Sequence, residues 1–392
     1  LYLQNPSSNT DMYNTAVGYN AGAAVTTGIQ NTLIGGLVGD SITSGGGNTI
    51  MGYAAGDALT TGNSNVAVGL SALSGDTLGD RAVAIGQGAL NAQNFTSSTD
   101  NYNVGVGYNA GAAVTTGVQN TFIGGLAGDA VTTGDSNTAV GHLSLSANTT
   151  GTANVAVGTN ALDANTTASN NTAVGYASLG ANSTGINNTT TGAYALFSNT
   201  TASYNTAHGY NSLFANTTGD RNVALGTYAL DANTTASGAT ALGYNALSAN
   251  TTGSTNTGVG FHALNVNTTG GTNVAVGASA LQANTTASNN TAVGMSALAA
   301  NTTGTRNVSV GNNSLDANTT GASNTGVGSY SLTNNTTASY NTAVGDAALG
   351  NTTTGANNTA LGYNSLLAST TGANNVAVGA LAGDALTTGG SN

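Results

Sequence analysis

The chain has 392 residues and a formal net charge of −11, yet only 4 % of its residues are charged. It contains no Lys, Glu, Cys or Trp, which excludes a basic nucleic-acid surface and a disulfide framework. Hydrophobic residues make up 39 %, and Gly, Asn and Thr dominate the rest, a composition that excludes ordinary disorder and favours β structure with many turns.

The first part of the chain, residues 1–13, shows no clear repeat, and we expect it to cap the first coil or to form a junction with an upstream domain. The chain starts with Leu1 rather than Met and stops at Asn392, which would be the first residue of another repeat. We therefore expect it to be part of a longer or processed protein. No apolar run is long enough to cross a bilayer as a helix, so no membrane insertion is expected in this segment.

A 17-residue repeat starts at Asn14 and continues to the end of the chain. Residues 82–102 form one longer unit that contains an insertion, and the regular step resumes at Asn103, which gives 22 units in all. Such a unit is too short to fold alone, whereas stacked units can bury a continuous core. The sequence therefore predicts an all-β fold, a parallel β-solenoid over residues 14–392 with one 17-residue coil per repeat and about 22 coils.

Position 5 of the repeat is Gly in all 22 units. Only a backbone requirement explains this strictness, either a positive φ or no room for a Cβ atom. The first eight of these predicted turn glycines are Gly18, Gly35, Gly52, Gly69, Gly86, Gly107, Gly124 and Gly141.

Positions 2 to 4 read as a short strand, because Thr or Val at position 2 and an aliphatic residue at position 4 alternate with Ala at position 3. The larger residues of this pattern predict that position 4 is buried. His208 breaks the pattern, and we expect it to form a buried hydrogen bond with Thr191 one unit earlier. Asn at position 1 is typical of a turn with a left-handed residue.

Position 12 is Asn in twelve successive units, which predicts a ladder of stacked amides. Its first six members are Asn148, Asn165, Asn182, Asn199, Asn216 and Asn233. Six units instead have an aliphatic residue at position 12, and these are the same units that have Gly in place of Leu at position 9. Because interiors are close-packed, this exchange predicts that positions 9 and 12 flank one core pocket, with position 10 facing outwards.

The recurring "NVAVG" at Asn65–Gly69, Asn154–Gly158 and Asn273–Gly277 resembles the YadA-like head repeats of trimeric autotransporter adhesins. "NTAVGYASLGANSTG" is similar to the Asn/Thr-rich repeat shafts of phage tail fibres and bacterial surface fibres. The adhesin resemblance implies a left-handed β-roll with three chains packed side by side. The 17-residue coil is longer than the usual adhesin coil, and no stalk, anchor or chaperone domain is present in the sequence. A coil of three short faces, as in hexapeptide solenoids, is the alternative.

Catalytic and metal-binding constellations are not evident. Asp recurs as isolated outward residues at position 10, and the three His residues occupy different repeat positions, so we expect neither an enzyme, a metal site nor a cofactor. All three Arg residues lie at position 17, which predicts an exposed turn, and the extra residues near 94–102 should form a loop on the same edge.

Tyrosines recur near positions 6 and 7 and are predicted to fill a subunit interface or to stack on sugars. The candidate residues are Tyr19, Tyr108, Tyr176, Tyr210, Tyr244 and Tyr363.

These features predict a structural and adhesive fibre shaft, located outside the cell, on a cell surface or on a virion. Its expected partners are copies of itself, as a homotrimer or filament, and cell-surface glycans or a host receptor. Two alternatives remain: an ice-binding solenoid with Thr ladders, and a glycan-degrading tail spike.

Overall fold

The computed structural model describes residues 3–4 and 11–392. It divides into two compact units: unit 1 comprises Leu1–Tyr194 with Asn199–Thr201, and unit 2 comprises Ala195–Ser198 with Ala202–Asn392. No described residue lies in a helix. The chain is an all-β parallel β-solenoid with a 17-residue repeat and about 21 turns. Most of the predicted N-terminal cap lies outside the described residues.

The described part of unit 1 contains thirteen short strands. They are β1 (Thr15–Val17), β2 (Thr32–Ile34), β3 (Thr49–Met51), β4 (Val66–Val68), β5 (Gly79–Asp80), β6 (Val83–Ile85), β7 (Thr99–Asp100), β8 (Val104–Val106), β9 (Thr121–Ile123), β10 (Thr138–Val140), β11 (Val155–Val157), β12 (Thr172–Val174) and β13 (Thr189–Thr191).

Unit 2 contains eleven strands. They are β14 (Thr206–His208), β15 (Val223–Leu225), β16 (Thr240–Leu242), β17 (Thr257–Val259), β18 (Val274–Val276), β19 (Thr291–Val293), β20 (Val308–Val310), β21 (Thr325–Val327), β22 (Thr342–Val344), β23 (Thr359–Leu361) and β24 (Val376–Val378).

Within each unit the short strands at repeat positions 2 to 4 pair in parallel with their counterparts in the neighbouring coils. In unit 1, Thr138 pairs with Val155, and in unit 2, Val274 pairs with Thr291, so each residue meets the one that lies a single repeat further along the chain. The longer coil keeps the same register, because Val83 pairs with Val104 across it. Equivalent residues therefore stack directly on one another, as the repeat predicted.

The inward side of each strand is position 3, not position 4. Ala156 and Ala275 at position 3 are fully buried, whereas Val157 and Val276 at position 4 are half-buried or exposed. The interior is narrow enough to favour small residues on the strand, and the larger aliphatic side chains point outwards. The prediction that position 4 is buried is wrong. His208 is exposed, so the predicted buried hydrogen bond to Thr191 is also wrong.

The rest of the core comes from the turn after the strand. In most coils Leu at position 9 and Asn at position 12 are fully buried, as are Leu264 and Asn267. The exchange between these positions has the predicted physical basis: a Cβ atom on Gly39 would lie 2.7 Å from Cδ1 of Ile42 at position 12. The side chain at position 12 thus occupies the space that a position-9 side chain would need. Position 3 contributes as well, because Ile50 and Phe122 fill the corresponding space beside Gly56 and Gly128.

Positive φ angles occur at positions 7, 9 and 17 of the coil, for instance at Ser279, Leu281 and Asn289. The position-1 Asn residues all lie in the described part of the chain and none of them has a positive φ, so the left-handed role predicted for that residue is wrong. The residue before it, at position 17, takes that conformation. The three Arg residues lie there with exposed side chains.

The position-5 glycines have both properties that the sequence suggested. Their φ angles lie between +126° (Gly379) and +144° (Gly35), a region that side chains strongly disfavour. A Cβ atom on Gly124 would also lie 2.5 Å from the carbonyl oxygen of Gly141 in the next coil. Adjacent coils therefore leave no room for a side chain at this column.

The predicted Asn ladder at position 12 is present in both units. In unit 1, Nδ2 of Asn165 donates to Oδ1 of Asn148 at 3.0 Å, and Asn182 and Asn199 continue the chain at 3.0 and 2.7 Å. In unit 2, Asn233 donates to Asn216 at 2.8 Å, and the ladder continues to Asn335. Each amide is buried, so its second proton needs a partner, and Asn165 and Asn233, for example, donate it to the backbone carbonyl three residues ahead.

A second buried Asn column, at position 1, was not predicted. Oδ1 of Asn273 accepts the backbone N–H of Asn290 at 3.0 Å, and its Nδ2 donates to the carbonyl of Ala287 at 2.8 Å. Each such side chain therefore links the start of its own coil to a residue near the end of that coil, and also binds the first residue of the next coil. This explains why Asn recurs at position 1 without a left-handed backbone.

The longer coil, residues 82–102, places its extra residues beside the position-17 edge. β5 and β7 form a small parallel pair there, and the exposed guanidinium of Arg81 forms an ion pair with Asp100. Asp76 stands where Asn165 stands in its coil, and its buried carboxylate accepts from Nε2 of Gln93 at 2.6 Å and from the Gly79 N–H at 3.0 Å. Burial raises the pKa of the Asp76 carboxyl.

Candidate interaction surface

The outer face of the strand sheet is an apolar stripe that runs through each unit. We define the apolar stripe by the aliphatic side chains at position 4. In unit 1 these are Val17, Ile34, Met51, Val68, Ile85, Val106, Ile123, Val140, Val157 and Val174. In unit 2 these are Leu225, Leu242, Val259, Val276, Val293, Val310, Val327, Val344, Leu361 and Val378. All are half-buried or exposed, and Thr or Val at position 2 points to the same side.

The six candidate tyrosines all lie at position 6, just after the position-5 Gly bend, and all are exposed. Their column stacks on itself from coil to coil: a Cβ atom on Gly36 would contact the ring of Tyr53 one coil on, at 3.5 Å. The tyrosines therefore line one border of the apolar stripe, two positions along the chain from position 4. Among the candidates, Tyr176, Tyr210 and Tyr244 also contact other rings.

Aromatic residues are concentrated in coils 205–272 of unit 2. Tyr210 contacts Tyr228 edge to face with ring centroids 5.6 Å apart, and Tyr228 contacts Tyr244 in the same way at 6.2 Å. Tyr244 then stacks with Phe261 at 5.8 Å, and Phe261 stacks with His262 at 3.9 Å. Tyr228, Phe261 and His262 are not among the candidate residues predicted from the sequence; Tyr228 and His262 lie at position 7, and Phe261 lies at position 6.

The position-10 aspartates are half-buried, apart from the exposed Asp384, and mostly isolated. Burial raises the pKa of Asp129, Asp163 and Asp231, and for Asp231 it raises the pKa to about 6. Asp40 and Asp57 lie on neighbouring coils; burial first, and then repulsion from Asp40, raise the pKa of Asp57. Among the described residues, no three His, Asp, Glu or Cys side chains are grouped closely enough to hold a metal ion.

The Thr columns at positions 13 and 14 differ in their hydrogen bonding. At position 13 the hydroxyl donates to the carbonyl of the next coil, as Thr268 does to Thr285 at 3.1 Å. Position-14 residues such as Thr286 are exposed.

Searches against protein-family models and against curated protein sequences found no match for this chain. No helix in the described part of the chain is long and apolar enough to span a membrane.

Proposed function

We propose that this chain is the shaft of an extracellular fibre that associates with copies of itself through the apolar stripe and displays repeated contacts on its remaining faces. The observation that supports this proposal is the apolar stripe itself. A sheet face of a monomeric protein in water normally presents polar residues, whereas here nearly every coil presents an aliphatic side chain to solvent.

The size of the apolar stripe suits a stable interface. A standard protein interface takes about 800 Å² from each partner, and the ten stripe side chains of each unit form one continuous apolar surface along it. Exposed apolar patches on monomers seldom exceed about 600 Å². A covered stripe is therefore the more favourable state in water.

The spacing of the apolar stripe favours a second copy as the partner. Its aliphatic side chains repeat once per coil, which is about 4.8 Å along the stacking direction. A partner must present apolar groups with the same spacing to contact every coil, and a second copy does so by construction. The resemblance to adhesin heads supports the same arrangement, with three copies side by side and a left-handed coil, on a cell surface or a virion.

Repetition gives such a fibre its adhesive capacity. Weak contacts that recur along several associated chains add up to a high avidity without any single tight site. The exposed position-6 tyrosines are the side chains that we propose for contact with cell-surface glycans or a host receptor, since aromatic rings combine apolar area with a polar hydroxyl.

Sedimentation of the full chain tests the proposal. The variant carrying V276D and V310D places two charges on the apolar stripe, and the control carrying T286D and T320D adds the same charge at exposed position-14 sites. We expect oligomers for the native chain and the control, and a large shift to monomer for the stripe variant. A native chain that is monomeric at micromolar concentration would refute self-association.

The two alternatives have weaker support. An ice-binding face requires a regular hydroxyl array, but the position-13 hydroxyls already donate to backbone carbonyls, which leaves the position-14 column. Thermal hysteresis of the chain would support it. A glycan-degrading spike requires paired carboxylates, for which Asp40 and Asp57 are the candidates, and release of reducing sugar from a capsule polysaccharide would support it.

A further inference from the structure

Three tyrosines on adjoining coils of unit 2 form three sides of an open aromatic box. Tyr210 and Tyr244 lie at position 6 of coils that are two steps apart, and Thr227 occupies position 6 of the coil between them. Tyr228, next to Thr227, stands nearly perpendicular to both rings, with interplanar angles of 87° to Tyr210 and 81° to Tyr244. The two side walls thus flank the small Thr227, and Tyr228 forms the third side.

The width of the box suits a small group. Two coil steps separate the backbones of Tyr210 and Tyr244 by about 9.6 Å. A ligand atom at the level of the coil between them would lie about 4.8 Å along the stacking direction from each of the two tyrosines, within the roughly 6 Å over which a cation is attracted to an aromatic face. Tyr210 and Tyr244 are 44 % and 47 % exposed, so the box is open to solvent.

The fold does not need these rings. Other coils of unit 2 make the same turn with Ala278 or Asp346 at position 6 and with Ser279 or Ser296 at position 7. Ser279 and Tyr228 have the same φ of +57°. The aromatic side chains therefore add a surface feature to a turn that small residues can form. In unit 1, Tyr176 and Tyr194 repeat part of the arrangement, with centroids 5.2 Å apart at 79°.

The charge of the chain selects the class of ligand. A net charge of −11 with three Arg and no Lys disfavours anions and favours cations. Tyrosine faces of this chain already accept cations, since Arg81 lies over Tyr102 at 5.6 Å and Arg221 lies over Tyr204 at 5.9 Å. We propose that the box formed by Tyr210, Tyr228 and Tyr244 binds a quaternary ammonium group of the kind that choline carries. This inference gives the proposed adhesive surface a ligand class, but the box lies within one chain and does not require self-association.

Titration of the full chain with choline chloride, followed by NMR of the choline N-methyl protons, tests the assignment. We expect a dissociation constant in the millimolar range, because two or three cation–π contacts at exposed sites are individually weak. The neutral isostere 3,3-dimethylbutan-1-ol has the same shape without the charge and should bind about tenfold more weakly. Phosphocholine, in a second arm, shows whether a neighbouring phosphate is tolerated.

Three variants separate the box from general aromatic surface. Y228S introduces the residue found at position 7 in other coils and should weaken choline binding about tenfold. T227Y fills the space between the walls, adds a ring and should abolish binding. Y330S removes an exposed tyrosine outside the box and should leave binding unchanged. Far-UV circular dichroism verifies that each variant is folded.

Equal binding of choline and its neutral isostere would overturn the proposal, as would unchanged binding by both Y228S and T227Y. A monomeric chain that still binds choline through Tyr228 would refute the proposed self-association and leave this site intact. A self-associated chain that does not bind choline would refute the proposed site and leave the proposed self-association intact.

Discussion

Replacing a single position-5 glycine should disrupt the coil stack, whereas replacing the glycine at position 15 of the same coil should not. We compare G124A with G134A, which lie at positions 5 and 15 of the coil 120–136. Gly124 has a φ of +136°, and Gly134 does not have a positive φ. Position 5 is Gly in every coil, while position 15 is Ala in several, including Ala168 and Ala287.

The magnitude for G124A follows from two costs. Holding an alanine at a φ that is reserved for glycine costs about 1–3 kcal/mol. The new Cβ atom would also lie 2.5 Å from the Gly141 oxygen and 2.7 Å from its carbonyl carbon, so the coils must separate. That separation weakens the bonds across the same boundary, from the Gly141 N–H to the Ile123 carbonyl at 2.8 Å and from the Leu143 N–H to the Gly125 carbonyl at 3.1 Å, at about 1 kcal/mol each. The total is about 3–5 kcal/mol.

G134A should change stability by about 1 kcal/mol or less. Its Cβ would also meet a carbonyl oxygen, that of Gly151, but the coils with Ala168 or Ala287 show that this column accommodates a methyl group. The loss of unfolded-state entropy offsets part of the adjustment.

Urea unfolding of the full chain, combined with amide hydrogen exchange of coils 103–153, measures both effects. Solenoid stability is a sum of local terms, so exchange should accelerate most around the altered coil. Equal unfolding midpoints and equal exchange for the two variants would refute the reasoning about position 5.

Three further predictions concern the core, the aspartates and the closing amides. N267V should destabilise unit 2 by about 3 kcal/mol, because Asn267 donates to Asn250 at 2.8 Å and to Gly270 at 2.9 Å and accepts from Asn284 at 2.8 Å. Adding L264G should recover part of that loss, and a double-mutant cycle without favourable coupling would contradict the exchange between positions 9 and 12. D231N, which introduces the residue present at Asn265, should stabilise the chain at pH 7.5. Burial raises the pKa of Asp231 to about 6, so the native state holds the proton more tightly and the wild type loses stability relative to D231N as the pH rises from about 4 to about 6. Because the group is half-exposed and partly screened by solvent, we expect a difference of about 1 kcal/mol at pH 7.5; thermal melts of both proteins at pH 3.5 and pH 7.5 should show this difference only at the higher pH. N273A should cost about 1–2 kcal/mol, since the side chain binds both the Asn290 N–H and the Ala287 carbonyl, and a melt unchanged from the wild type would contradict the closing role of position 1.

The register of the solenoid could be predicted from the sequence because the repeat is nearly free of slips. Gly at position 5 recurs once in every repeat and meets one backbone requirement. This recurrence predicts that the backbone makes the same bend once per repeat, and therefore that each repeat forms one coil. The core pocket could also be located from the sequence. Where position 9 is Gly, as at Gly39, position 12 is aliphatic, as at Ile42, whereas most other coils have Leu at position 9 and Asn at position 12. Volume lost at one site of a close-packed core has to be supplied nearby, so both positions had to lie in the same pocket.

From the sequence, the wrong face of the strand was predicted to be buried. A strand of three residues is too short for its pattern to decide whether position 3 or position 4 faces the core. Hydrophobicity alone favours Val over Ala for the interior, but the narrow coil admits the smaller residue. One signal could have corrected this: Leu33, Ile50 and Phe122 are unusually large at position 3, in coils with Gly at position 9. Their side chains fill the space beside those glycines, which places position 3 inside.

The aromatic box cannot be seen when the tyrosines are considered one column at a time. Tyr210 and Tyr244 belong to position 6, but Tyr228 belongs to position 7 of the coil between them. Their relation depends on the distance between neighbouring columns and on the small side chain of Thr227. That information lies in the geometry of the turn rather than in the repeat.

Disulfide formation between engineered cysteines tests the one-turn-per-repeat structure most directly. The chain has no cysteine, so a pair introduced at exposed position-14 sites reports on its own separation. Thr286 and Thr303 should have Cα atoms about 4.8 Å apart, within the roughly 4.4–6.8 Å range of disulfides, while Thr286 and Thr320 should be about 9.6 Å apart. After mild oxidation, the T286C/T303C variant should lose both free thiols and the T286C/T320C variant should keep them. Free thiols in the first variant, or a bond within one chain in the second, would contradict the stacked 17-residue coil.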